Sequence, residues 1–188
     1  MNLRILLAGL AMAASLLAVL GAGLVRSDSD AKLSSTSRLA PEFELPSVDG
    51  AGTLTSASLR GKPAVVSFWA TWCPGCREEH ETLQRLAREL AGRVSFLGIS
   101  VDDDAAAVRD FLGKHGSAYP VAIDRQSRTA SDFGAVGLPT TFLLNANGAV
   151  IATLQGPVDP SALRKVLEAL ATKQTVEPSH PPTESRHP

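Results

Sequence analysis

Cysteine, aromatic residues and net charge are all in short supply. Only two cysteines occur in 188 residues, which excludes a small fold stapled by several disulfides. Aromatics make up 5% of the chain, too few for a surface on which nucleic-acid bases stack. Eighteen basic and nineteen acidic residues leave a net charge of −1, and no run of like charge stands out, so the electrostatic footprint of a nucleic-acid binder is absent. No internal repeat is evident. What the chain does have is 44% apolar and 20% charged residues, enough to bury a core and too many apolar residues for disorder throughout.

One apolar run is long. From Ile5 to Val25 no charge interrupts, after a single cation at Arg4. That is about the 20 residues a helix needs to cross a bilayer, and it exceeds the roughly 7–15 apolar residues of most secretory signals. Residues 1–26 are therefore expected to be a signal-anchor or transmembrane helix, with Gly21-Ala22-Gly23 offering a cleavage site as the alternative. Residues 27–39 are polar, Ser-rich and aperiodic, and read as a flexible linker. At the other end, residues 172–188 are rich in Pro, Ser and Thr and read as a disordered tail. Nothing specific is expected of its two histidines, His180 and His187.

Between these ends, residues 40–171 alternate between strand and helix patterns and predict one α/β domain with a mixed sheet flanked by helices. Glu42 to Leu45 and Thr53 to Thr55, separated by turn residues, predict an N-terminal β-hairpin. Ala64 to Trp69 is a compact apolar run suited to a central strand. Leu83, Leu86, Ala87 and Leu90 predict the buried stripe of a helix over Cys73 to Ala91. A second strand over Val94 to Ser100, a helix over Asp103 to His115 and a strand from Pro120 follow, and Asp124 is placed to cap a short helix reaching Phe133. Thr140 to Leu144 and Val150 to Leu154 predict an antiparallel hairpin. Asp159-Pro160 predicts the start of a last helix whose buried stripe is Leu163, Val166, Leu167 and Leu170.

The chemistry is concentrated in Trp72-Cys73-Pro74-Gly75-Cys76, between the central strand and its helix. A sulfur at a helix N-terminus meets unpaired N–H groups and the positive end of the macrodipole, which favour the thiolate. Pro74 stiffens the turn where the helix has no N–H to lose. Two intervening residues suit a reducible pair in which Cys73 attacks a partner disulfide and Cys76 resolves the mixed disulfide. Other readings compete. A purely structural disulfide more often closes a longer loop. A zinc site needs about four ligands, and only His80 stands near enough to add to the pair. Covalent haem needs a histidine after the second cysteine, and Arg77 is there instead.

Phe68-Trp-Ala-Thr-Trp-Cys-Pro-Gly-Cys-Arg-Glu-Glu-His resembles the active site of the thioredoxin superfamily, and Gly137-Leu-Pro-Thr-Thr-Phe-Leu-Leu-Asn resembles the segment that carries its cis-proline. Ala40-Pro-Glu-Phe-Glu-Leu-Pro-Ser-Val-Asp-Gly is similar to the extra N-terminal hairpin of the TlpA/ResA/CcmG (DsbE) branch. The resemblance implies a thioredoxin-like fold with that hairpin and an inserted strand and helix around residues 100–123. It implies Pro139 as the cis-proline facing Cys73 and Cys76, with Leu138 and Thr140 shaping the substrate groove and Trp72 packed beside the thiols. Glu79 matches the acidic residue that ResA-type proteins place near the site. Two readings stay open for it: a proton carrier, or one of an acidic first turn, Glu78, Glu79 and Glu81, that suits the helix dipole. Ser67 stands where ordinary thioredoxin has a buried Asp. The Arg77-Glu-Glu-His stretch is closer to CcmG, whereas Leu138-Pro-Thr-Thr-Phe is closer to TlpA/ResA.

Function follows as an expectation: an extracytoplasmic thiol–disulfide oxidoreductase that reduces disulfides of specific partner proteins, apocytochrome c in cytochrome c maturation being one candidate. The resemblance implies no cofactor beyond the Cys73–Cys76 pair, no metal, and a membrane electron donor of DsbD/CcdA type. It also implies a bacterial inner-membrane location with the domain facing the periplasm, or a cleaved soluble form there. Two alternatives come from other classes. A copper or zinc chaperone would use Cys73, Cys76 and His80. A thiol peroxidase is suggested by Ala40-Pro-Glu-Phe, which also resembles the opening of peroxiredoxins, but Val66 occupies the place of their active-site proline.

Overall fold

A computed structural model describes residues 38–175. The expected anchor, most of the linker and most of the tail lie outside the described residues. Among those described, no helix is long and apolar enough to cross a membrane.

The central element forms as its composition dictates. Strand β4 (Ala64–Trp69) has all six residues buried, because both of its faces are covered. It pairs in parallel with β5 (Ser95–Val101) and antiparallel with β7 (Thr140–Leu144). Strand β6 (Val121–Asp124) joins β5 in parallel, and β8 (Ala149–Gln155) pairs antiparallel with β7. Strand β1 (Arg38–Leu39) completes a six-stranded mixed sheet of order β1-β8-β7-β4-β5-β6. The expected N-terminal hairpin is β2 (Glu44–Pro46) with β3 (Thr53–Thr55), a separate two-stranded sheet. It is fastened to the edge strand β6 by the Val48 N–H, which donates to the Val121 carbonyl at 2.9 Å.

Helix α1 (Pro74–Glu89) and α4 (Pro160–Thr175) cover one face, where Leu83, Leu86, Leu90, Leu163 and Leu167 pack on Val65 and Leu143. The opposite face carries Val66, Phe68, Ile99, Phe142 and Phe133, the last supplied by the short α3 (Arg128–Phe133). Asp124 caps α3 as expected, accepting from the N–H groups of Arg128 and Ala130. The inserted element is α2 (Ala105–His115) with β6. Val108 and Phe111 of α2 pack with Trp69 and both cysteines in a third apolar cluster.

Three expectations need correction. The sheet begins at Arg38–Leu39, inside the segment read as linker, because these two residues pair with Val150 and Ala149. Helix α4 runs to Thr175, into the segment read as tail. Val166 is 42% exposed: the stripe repeats as Leu163, Leu167 and Ala171, and Val166 falls on its flank.

Candidate active site

Both cysteines sit where α1 leaves the end of β4. Cys73 is the N-cap, in extended backbone, and Pro74 is the first helical residue. The Cys73 sulfur accepts the backbone N–H of Cys76 at 3.2 Å, so the sulfur performs the capping that Ser or Asp performs elsewhere. The two sulfurs are bonded to each other, with Cα atoms 5.3 Å apart. Cys73 is 5% exposed and Cys76 2%, so the first is the more accessible, although both are buried.

Pro139 follows a cis Leu138–Pro139 bond and is buried. Its ring closes on the first turn of α1: a Cβ on Gly75 would lie 3.6 Å from Pro139 Cδ and 3.2 Å from Pro157 Cγ. The absence of a side chain at Gly75 is what lets the Pro157 loop approach, whereas Pro139 sits at ordinary contact distance. The second loop is set by Gly156, at φ +78°, whose N–H donates to the Pro139 carbonyl at 2.9 Å. Trp72 is 60% exposed, packing only partly, and its indole N–H donates to the Asp102 carbonyl at 3.4 Å. Together with Val136, Leu138, Asp102 and Ser131 it lines an open hollow of about 360 Å³. Leu138 lines this hollow, and the expectation that Thr140 shapes it needs correction for the side chain. That residue is 1% exposed, and its hydroxyl turns back to the Gly137 carbonyl at 2.6 Å, closing the turn after the hollow.

Glu79 lies three residues past Cys76, on the same side of α1, and is 3% exposed. The first turn, Pro74 to Arg77, contains no acid, so the acidic-first-turn reading fails for Glu79: it belongs to the second turn and faces inward. Its carboxylate accepts from the Thr141 hydroxyl at 3.3 Å and from the Val158 N–H. Burial pushes its pKa up to about 7, with those two hydrogen bonds acting the other way. Thr141 is the cross-strand partner of Ser67, so α1 brings a carboxylate onto the patch of sheet that holds Ser67. Tyr119 is close enough to Glu79 for the carboxylate to add to the upward shift that burial imposes on its phenol.

His80 is not presented to the cysteines as a free ligand. Its Nε2 lies 3.0 Å from the Gly116 carbonyl and 3.0 Å from the Gln84 amide nitrogen, and its ring packs between Trp69 and Phe111. Burial lowers its pKa, a shift the Gly116 carbonyl opposes and the nearby His115 assists. Among the described residues no group of three or more His, Cys, Asp or Glu side chains is placed to hold a metal ion.

Three residues of the site escaped the sequence reading. Thr141 lay inside an apolar run, and Val158 and Pro157 act through backbone and loop shape.

The Redoxin family profile matches residues 35–170. A protein of Pseudomonas aeruginosa named thiol:disulfide interchange protein DsbE is 40% identical over 140 residues, covering 73% of this chain and 76% of that one. The DsbE protein of Escherichia coli K12 is 31% identical over 140 residues, covering 73% and 74%. Among solved structures, a thiol:disulfide interchange protein of the thioredoxin family from Chlorobium tepidum superposes with a TM-score of 0.66. It is 30% identical and covers 73% of this chain and 98% of that one.

Proposed function

The chain belongs to the Redoxin family, within the group of thiol:disulfide interchange proteins, and from that premise we propose that Cys73 and Cys76 deliver two electrons to disulfides of particular partner proteins outside the cytoplasm. It is a thiol–disulfide oxidoreductase; the direction of transfer, the partners and the compartment are the proposal. The observation that carries Cys73 as the attacking sulfur of this exchange is its place as the N-cap of α1, hydrogen-bonded to the Cys76 N–H. That position favours a thiolate in the reduced protein.

The Cys73 thiolate attacks one sulfur of the partner disulfide. A mixed disulfide forms, the partner S–S bond breaks, and the partner's second sulfur leaves as a thiolate that takes a proton from water. The Cys76 thiol then gives its proton to the Glu79 carboxylate, which burial poises near neutrality. The Cys76 thiolate attacks the Cys73 sulfur, the mixed disulfide breaks, and the partner sulfur that was first attacked leaves as a thiolate that takes a proton from water. The pair ends oxidised, as drawn in this structure, and the partner has gained two electrons. A dithiol of DsbD/CcdA type in the membrane would return the pair to the reduced state. The loop before Pro139, with Leu138, Val136 and Trp72 around the hollow, offers an extended partner segment backbone groups and apolar contact.

Cys76→Ser is expected to trap a mixed disulfide with partner proteins, and Cys73→Ser is not. Equal trapping by both variants would overturn the roles. Apocytochrome c is a candidate partner, supported by the resemblance to the CcmG branch, and appearance of the trapped complex with a Cys-x-x-Cys-His peptide tests it. The apolar run Ile5 to Val25 supports a membrane-held protein. Fractionation should place the full chain with membranes, and recovery in the cytoplasm would contradict that.

A further inference from the structure

The loop between β5 and α2 carries three consecutive aspartates, and one of them is seated differently from its neighbours. Asp102 and Asp104 are exposed, and Asp104 caps α2 by accepting the Ala106 N–H at 2.7 Å. Asp103 points back across the sheet end to the segment before the cysteines. Its Oδ2 accepts the Thr71 N–H at 2.7 Å and the Ser100 hydroxyl at 3.0 Å. Its Oδ1 accepts the Thr71 hydroxyl at 2.8 Å and the Asp104 N–H at 3.1 Å. Four donors on one carboxylate make a stiff joint, since bonds to an ionised acceptor are the strong ones. The joint holds a tight turn: the Cys73 N–H donates to the Ala70 carbonyl at 3.2 Å, with Thr71 and Trp72 between them. Trp72 is tied to the same loop through the Asp102 carbonyl, and Asp102 itself sits at φ +48°, a conformation that orders few non-glycine residues.

We propose that Asp103 is a positioning residue for the exchange reaction: by clamping both hydrogen-bond donors of Thr71 it fixes the turn that sets the Cys73 sulfur over the N-terminus of α1. The inserted element is then part of the catalytic apparatus, because its first residues hold the nucleophile in place. Its helix is braced at the far end as well, where Gln84 of α1 donates to the His115 carbonyl at 2.8 Å. The inference rests on the reading of Cys73 as the attacking sulfur.

The test uses the full chain carrying Cys76→Ser, reduced, with glutathione disulfide as the probe and mixed-disulfide formation followed by mass spectrometry across pH. If the parent variant forms no adduct on Cys73, the reading of the nucleophile fails before Asp103 is involved. Given a reactive parent, Asp103→Ala should slow adduct formation about tenfold, on the scale expected when a reacting atom is misplaced. It should also move the pH midpoint of the reaction upward, toward that of an ordinary thiol. Thr71→Val changes no charge and should shift both in the same direction by a smaller amount. The double variant should be no slower than Asp103→Ala alone, because both substitutions break the same joint. Asn145→Ala, which removes the acceptor of the Asn147 and Ala149 N–H groups in the turn between β7 and β8 and touches nothing in the joint, should lower the melting temperature and leave the rate within about twofold, as a change away from the site should. Should Asp103→Ala not fold, Thr71→Val decides the matter by itself. An unchanged midpoint in Thr71→Val, a downward midpoint in Asp103→Ala, additive slowing in the double variant, or an Asn145→Ala rate that falls with Asp103→Ala would each overturn the proposal.

Discussion

The Thr141 hydroxyl donates to the buried Glu79 carboxylate at 3.3 Å, joining the helix that carries the cysteines to the strand that follows Pro139. A carboxyl group buried beneath the active-site helix is thus supplied from α1, while the strand position beside it holds Ser67, itself opposite Thr141 in the sheet register. Desolvation dominates at that spot, which is why the Glu79 pKa is pushed up to about 7.

This fixes a pH signature in stability. Glu79 has its pKa raised from 4.5 to about 7 on folding, so the native state holds a proton that the unfolded chain has lost. Stability contributed by the protonated carboxyl is full below about pH 4.5 and declines as pH rises to about 7, by on the order of 3 kcal/mol in total. Chemical denaturation of the oxidised protein at several pH values should show this fall. In Glu79→Gln the slope across that window should flatten, and an unchanged slope would contradict the assignment.

Gly98 lies on β5 beneath two rings. A Cβ there would meet Trp69 Nε1 and Tyr119 Cε2, each at 3.1 Å, and Val121 Cγ2 at 3.4 Å. Gly98→Ala therefore overpacks the core beside the site and is expected to cost about 1–3 kcal/mol in urea denaturation. A neutral or stabilising result would mean that the Trp69 and Tyr119 rings are free to move apart.

On α4, Leu163 is 2% exposed and Val166 42%. Leu163→Ala should destabilise by about 2–5 kcal/mol, whereas Val166→Lys should stay within about 0.5 kcal/mol. Comparable losses for the two would restore Val166 to the buried stripe.

How much of this was readable in the sequence depends on the kind of signal. The β4 run, the leucine stripe of α1 and the Cys73-Pro-Gly-Cys76 turn were legible because burial, helical period and proline geometry each leave a local mark. Asp124 was legible as a cap for the same reason. The orientation of Glu79 was not, because three glutamates share one turn and only the packing of α1 on β7 selects which turns inward. Asp103 was hidden likewise among identical neighbours, its role decided by the register of β5 against β4, which sets Ser100 beside Trp69. Val158 and Gly156 act through backbone groups, which side-chain patterns do not report. Val166 misled because an apolar residue three places from Leu163 satisfies helical spacing while lying at the edge of the covered face.

The reduction potential of the Cys73–Cys76 pair, measured by equilibrating the full chain with glutathione buffers, bears most directly on the role as a reductant of partner disulfides. A potential below about −180 mV, toward the glutaredoxin and thioredoxin range, is the expected result. A potential near the roughly −120 mV of a strong protein oxidant such as DsbA, or a pair that does not exchange with glutathione at all, would contradict it.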